Sequence, residues 1–312
     1  MAKSKARRRE KPQPIAVPDD EDVRPRWFGA VTWVAVLVVA AGVGLWFAKR
    51  QAGSGAKQVT PPAVGLPDTP DYHSLLVSPT DARHLVLGTH AGLYESSDGG
   101  RTWRKGFLAR QDAMNLVRTR SGRVWAAGHY VLFASDDGRR TWEEVRPSGL
   151  PSLDLHGFAA DPRNGNTLYA AVAQKGLYRS RDGGRTFVLV SKKVGGNVRG
   201  LAVTPAGRLL AGDPRRGLLA SSDGGRSWTI ALRKPVIGVA VNPAHPRTIL
   251  ATGLGILLSR DGGKKWRSVL RLEQAVEPVA WAPSDPKVAY AVGYDRKLYR
   301  TSDGGGSWLP VE

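Results

Sequence analysis

SSDGGRTW, Ser96–Trp103, is the phrase that decides the fold, because the chain says it six times. The others are SDDGRRTW (Ser135–Trp142), SRDGGRTF (Ser180–Phe187), SSDGGRSW (Ser221–Trp228), SRDGGKKW (Ser259–Trp266) and TSDGGGSW (Thr301–Trp308). Its aspartates are Asp98, Asp137, Asp182, Asp223, Asp261 and Asp303, spaced by 39, 45, 41, 38 and 42 residues. A fixed period in this range marks stacked repeats.

Around each phrase the internal order is constant. One apolar segment ends near a proline, as in Leu201–Gly207; a second ends in small residues, as in Arg208–Gly212. A third runs into the phrase, as in Gly217–Ser222, and a fourth starts at its closing aromatic. Segments of this length, bounded by glycine turns, read as strands. Four antiparallel strands per repeat make one propeller blade, which needs neighbours to bury both of its faces. The expected fold is therefore all-β, a six-bladed propeller of four-stranded antiparallel blades over residues 72–312.

The phrase itself reads as the turn between the third and fourth strands. A carboxylate and a hydroxyl there can accept backbone N–H groups, and paired glycines tolerate positive φ. The closing aromatic, Trp103, Trp142, Phe187, Trp228, Trp266 or Trp308, packs under the turn. In the second repeat Gly138 is followed by Arg139 instead of a second glycine, so that turn is expected to differ slightly.

These phrases resemble the Asp-box, or bacterial neuraminidase (BNR), repeat. That repeat occurs in sialidases, sortilin-type receptors, xyloglucan-active glycosidases and the photosystem II stability/assembly factor family. The resemblance covers the whole of residues 72–312. It implies a structural box on the face opposite the binding face. The compact blades look most like the assembly factors and short bacterial BNR-repeat proteins. Six boxes imply six blades, where the assembly factors are expected to have seven. The first repeat begins at its inner strand (Tyr72–Pro79) and the last ends with its outer strand (Trp308–Glu312). No strand is left over to link them, and ring closure is expected to rest on packing.

Upstream, residues 1–26 form a basic, disordered tail expected in the cytoplasm. Residues 27–48 contain no charge over 22 positions, with Trp27 and Phe28 at one end and Trp46 and Phe47 at the other. That length suits a transmembrane helix, and the aromatic ends suit headgroup level. Eight Lys/Arg precede the segment and three follow shortly after it, so the positive-inside rule puts the N-terminus in the cytoplasm. The propeller is then expected in the periplasm or outside the cell, tethered by the Gly/Pro-rich residues 49–71.

Composition narrows the chemistry. The 312 residues include no cysteine, which excludes disulfides, thiolate metal sites and cysteine nucleophiles. The formal charge of +19 suits anionic partners such as an anionic surface or a glycan. The arginines are spread over every repeat instead of forming one strip, which argues against specific nucleic-acid recognition. Sialidase chemistry would, by resemblance, place a Phe/Tyr-Arg-Ile-Pro segment before the first box; nothing between Tyr72 and Ser96 matches. Acids outside the boxes are sparse and the loops are short, so no catalytic residue is assigned. A divergent exo-glycosidase is the alternative.

A ligand would meet the rim shared by the inner-strand entries and the loops between second and third strands. Aligned inner strands put His73, Met114, His156, Arg199, Ile237 and Glu277 at one ring position. The loops add His90, His129, Tyr130, Asp213, Arg215, Arg216, Tyr294, Asp295 and Arg296. Arg and Tyr there suit a protein partner. No cofactor is assigned from sequence. His73, His90, His129 and His156 are the candidate set for a metal, on the condition that at least two imidazole nitrogens approach within about 4–5 Å. The expected function is non-catalytic: a membrane-anchored binding or assembly module.

Overall fold

The computed structural model describes residues 63–195 and 197–312. The segment read as a transmembrane helix, residues 27–48, lies outside them, as does the basic tail. Among the described residues no helix is long and apolar enough to cross a membrane.

The strands form six sheets among the described residues, each cut from one continuous run of chain. In the fourth, Gly200–Val203 pairs with Leu209–Asp213, that strand with Gly217–Ser221, and the last with Thr229–Leu232, all antiparallel. The same order recurs in every sheet, so the all-β six-bladed propeller is the fold. The inner strands are Ser74–Val77, Asn115–Arg118, Leu155–Ala160, Gly200–Val203, Gly238–Val241 and Val276–Ala282.

The core lies between blades, not inside any one of them. Each of six apolar clusters straddles two neighbours. Trp125, Leu132 and Ala134 of blade two, for example, pack on Leu155, Phe158 and Leu168 of blade three. The reason is the second strand, whose residues are buried on both faces, as in Leu85–Thr89 and Leu168–Val172. A sheet buried on both sides must be covered on both sides, and only adjacent blades can do that.

The same rule closes the ring. Tyr72, Leu75, Leu87 and Trp103 of blade one share a cluster with Val288, Tyr290, Val292 and Leu298 of blade six. No strand passes between these two sheets. Within the stretch read as a tether, Ala63–Val64 adds a fifth strand to blade one, paired to Thr102–Trp103 on its outer edge.

The boxes form the turns expected of them. Asp98 Oδ1 accepts the N–H groups of Arg101 and Thr102 at 3.0 Å and the Ser96 hydroxyl at 2.8 Å. Its Oδ2 accepts the Thr102 hydroxyl at 2.6 Å, and Ser96 Oγ accepts Gly100 N–H at 2.8 Å. Trp103 donates its indole N–H to the Gly100 carbonyl at 2.9 Å. Burial alone would raise the Asp98 carboxyl, but the bonds from Thr102, Ser96 and Arg101 outweigh it and hold it down to about 2. The second box differs from the first in that the Trp142 indole N–H has no hydrogen-bond partner. Arg139 adopts φ +77°, the left-handed conformation of its glycine counterparts, and Asp137 keeps the same partners. That conformation costs a non-glycine residue roughly 1–2 kcal/mol. The Arg139 side chain is buried and lies 3.5 Å from Glu95 of blade one, a contact that offsets the strain.

Candidate functional site

Two backbone devices shape the rim. The first pins the end of the second strand or the loop after it to the next blade's entry in blades one, two and four. Ala113 N–H bonds to Thr89 O, and Leu155 N–H to Gly128 O. His90 is thereby held beside Asp112, and His129 beside Asp154. The second device is the β-bulge. Pairing in blade three skips from Leu155 to Gly157, and in blade six from Val276 to Val279. The residues in the gaps include His156 and Glu277; a bulge bends the strand and re-aims its side chains.

Four imidazoles form a continuous arc over blades one to three. His73 Nε2 stands 3.1 Å from His90 Nδ1, and His129 Nε2 stands 3.1 Å from His156 Nε2. The His90 and His129 ring centroids are 6.1 Å apart. The distance condition set for a metal is met twice.

Three carboxylates interleave with these rings. Asp71 Oδ1 lies 3.2 Å from His73 Nε2, and its Oδ2 touches His90 Nδ1. Asp112 Oδ2 lies 3.1 Å from His90 Nε2 and 2.7 Å from His129 Nδ1. Asp154 Oδ1 lies 3.2 Å from His156 Nε2 and 3.6 Å from His129 Nε2. None of the three was singled out from sequence. The signal was available: each stands two residues before an aligned ring position, in Asp71-Tyr72-His73, Asp112-Ala113-Met114 and Asp154-Leu155-His156.

Blades four to six complete the rim differently. His73, Met114, Arg199, Ile237 and Glu277 line one concave mouth. Arg199 is exposed there. Glu277 is buried, accepts the Tyr294 hydroxyl and lies 3.9 Å from His73 Nδ1. Burial and Glu277 push the Tyr294 hydroxyl well above its ordinary range. Burial pulls the His73 imidazole down, but Glu277, Asp71 and Asp112 outweigh it and the net direction is up. His156 goes down, chiefly by burial, with His129 and Arg199 adding to the effect against Asp154.

Other expected rim residues have different roles. Asp213 is fully buried and braces its own turn, accepting the N–H groups of Arg215 and Arg216 and the Arg216 guanidinium at 2.7 Å. Arg216 also donates to Lys193 O, which leaves Arg215 exposed. Arg296 pairs with Asp68 at 2.7 Å, and Asp295 accepts the Tyr299 hydroxyl at 2.5 Å. Tyr130 is 74% exposed at φ +61°, the most accessible aromatic of the rim.

Comparison with known proteins gives both sequence and fold relatives. The model of the family described as photosynthesis system II assembly factor YCF48 matches residues 73–308. No curated protein sequence matches the chain significantly. A GH74 xyloglucanase from Xanthomonas campestris superposes with TM-score 0.58 at 18% identity, covering 80% of this chain and 46% of the enzyme. The chain thus spans about half the length of that relative. YCF48 from Cyanidioschyzon merolae superposes with TM-score 0.51 at 18% identity, covering 80% of this chain and 87% of that one. A chain of a nidogen/laminin complex gives TM-score 0.59 at 14% identity, covering 72% and 91%. At these identities the structural likeness is one of fold.

Proposed function

The chain belongs to the photosynthesis system II assembly factor YCF48 family, and on that premise we propose that it is a non-catalytic assembly module whose propeller rim captures a segment of a membrane-complex subunit. The family match over nearly the whole propeller carries this reading. The rim supports it locally. Its mouth is concave and combines apolar Met114 and Ile237 with exposed Arg199. Tyr130 and Arg215 stand free beside it. Arginine and tyrosine around a small apolar floor suit a peptide with acidic and apolar residues. The proposal includes a transmembrane anchor at residues 27–48 with the propeller outside the cytoplasm. The uncharged run and the Lys/Arg excess before it support that orientation.

The test is site-specific photocrosslinking in membranes of the native cell. A photoreactive side chain at Tyr130 should give adducts with a subunit of a membrane complex. One at Leu309, equally exposed but on an outer strand, should not. Arg199→Glu should reduce the Tyr130 adduct several-fold. Equal adducts from both positions would remove the rim from the proposal. Release of sugar from xyloglucan, abolished by a rim carboxylate substitution, would replace it with the glycosidase alternative. The carboxylates of the arc have imidazoles as their near neighbours, where that chemistry wants two acids roughly 5–10 Å apart across a cleft.

A further inference from the structure

The His–Asp arc has two ends built alike. At one, His73 Nε2, His90 Nδ1 and Asp71 converge; at the other, His129 Nε2, His156 Nε2 and Asp154 Oδ1 form a triangle of 3.1, 3.2 and 3.6 Å sides. Two donors each about 2.0–2.2 Å from one ion stand about 2.8–3.6 Å apart at octahedral or tetrahedral angles. Hydrogen bonds can also give such separations, so distance alone does not choose between them.

Two other observations do. The first is the state of the oxygens. Asp71 Oδ1 and Asp154 Oδ1, one in each end triangle, are buried without a hydrogen-bond partner. They are two of the ten such atoms among the described residues. A buried polar atom without a partner costs about 1–3 kcal/mol, more if charged. The second is charge. Asp71, Asp112, Asp154 and Glu277 gather beside the imidazoles of the arc, with Arg199 acting on His156 and Tyr294 as a nearby cation.

We propose that the arc binds two divalent first-row transition metal ions, one in each end triangle. Two imidazoles and one carboxylate, in a chain without cysteine, suit ions of the zinc, cobalt, nickel and iron(II) class more than calcium or magnesium. Two ions balance the four carboxylates. The middle of the arc takes no third ion, for two reasons. Met114 stands where blades one and three have His73 and His156. A third ion would also require His90 and His129 to bind through both nitrogens as imidazolates. Asp112 instead faces the second nitrogen of both rings, at 3.1 and 2.7 Å, and Glu277 faces that of His73. A carboxylate behind a ligating imidazole fixes its tautomer and orientation, which makes Asp112 a positioning residue shared by the two sites.

The test needs no partner and stands apart from the crosslinking experiment. The full chain, detergent-solubilised and stripped with a chelator, is equilibrated with zinc chloride alone and its metal content measured. Two zinc ions per chain are expected. His156→Ala and His73→Ala should each leave one, with an unchanged circular dichroism spectrum as the folding control. Asp112→Asn should keep two at saturation with affinity weakened about 10–100-fold. His245→Ala, on the opposite face, should leave both count and affinity unchanged. Zinc that does not remain at micromolar free concentration would overturn the proposal, as would a His245→Ala loss equal to that of His156→Ala.

Discussion

Aspartates crowd two faces of this propeller, and they live in opposite conditions. On the box face, the Asp98 carboxylate accepts two backbone N–H groups and two hydroxyls from its own turn. Asp182, Asp223 and Asp303 repeat that pattern, while Asp261 has Lys265 where the others have a hydroxyl and makes do with less. On the rim, Asp71 Oδ1 and Asp154 Oδ1 are buried without a hydrogen-bond partner. The box motif recurs in all six blades; the rim arc occupies three. In a repeat protein, chemistry that recurs in every unit and closes on itself holds the unit together. Chemistry that breaks the repeat and stays unsatisfied is free to act on something else.

The largest expected effect lies under a box. Trp103 is buried between blades one and six, and Trp103→Ala should lower unfolding free energy by about 3–5 kcal/mol in urea titration. A much smaller loss would mean that the closing aromatics do not brace the blades.

Asp98→Ala comes next. It strips the turn of its acceptor and should cost about 1–3 kcal/mol by the same assay. Asp112→Asn on the metal-free chain should change stability by under about 0.5 kcal/mol, or raise it, because the amide oxygen can still face the His90 and His129 nitrogens while a buried charge is removed. Equal costs for the two substitutions would erase the contrast between the faces.

Acid should separate the faces more gently. Asp98 and Asp137 are held down to about 2, below the unfolded value of about 3.9. Groups depressed in this way stabilise the fold above the unfolded value, and that contribution is lost as pH falls through the folded one. The urea midpoint should therefore decline between about pH 4 and pH 2, and Asp98→Asn should flatten part of the slope. A midpoint constant across this window would mean that the boxes bind protons equally in both states.

How much of this was legible in the sequence follows from the same contrast. The six boxes announce themselves because a repeated turn leaves a repeated string, and the blade count and strand order come with it. Six inner-strand positions aligned well enough to place His73, Met114, Arg199, Ile237 and Glu277 on one mouth. The partners of those residues were harder to see. Asp112 and Asp154 sit two residues upstream, and what brings them to His90 and His129 is a backbone bond between blades, which no local pattern records. Asp213 shows the reverse failure. Its loop position suggested exposure, whereas its burial against Arg216 depends on how tightly the turn folds back. Ala63–Val64, a two-residue strand in a Gly/Pro-rich run, is too short to carry any period.

The seam between blades one and six has a consequence for how such a domain can change. Each sheet is made from one unbroken length of polypeptide, so no blade lends a strand to another. Gene rearrangements that began the propeller at its second blade and finished it at its first would preserve the pairing within all six sheets. The domain is therefore free to be permuted, or to have single blades copied, without first separating a strand that two blades share.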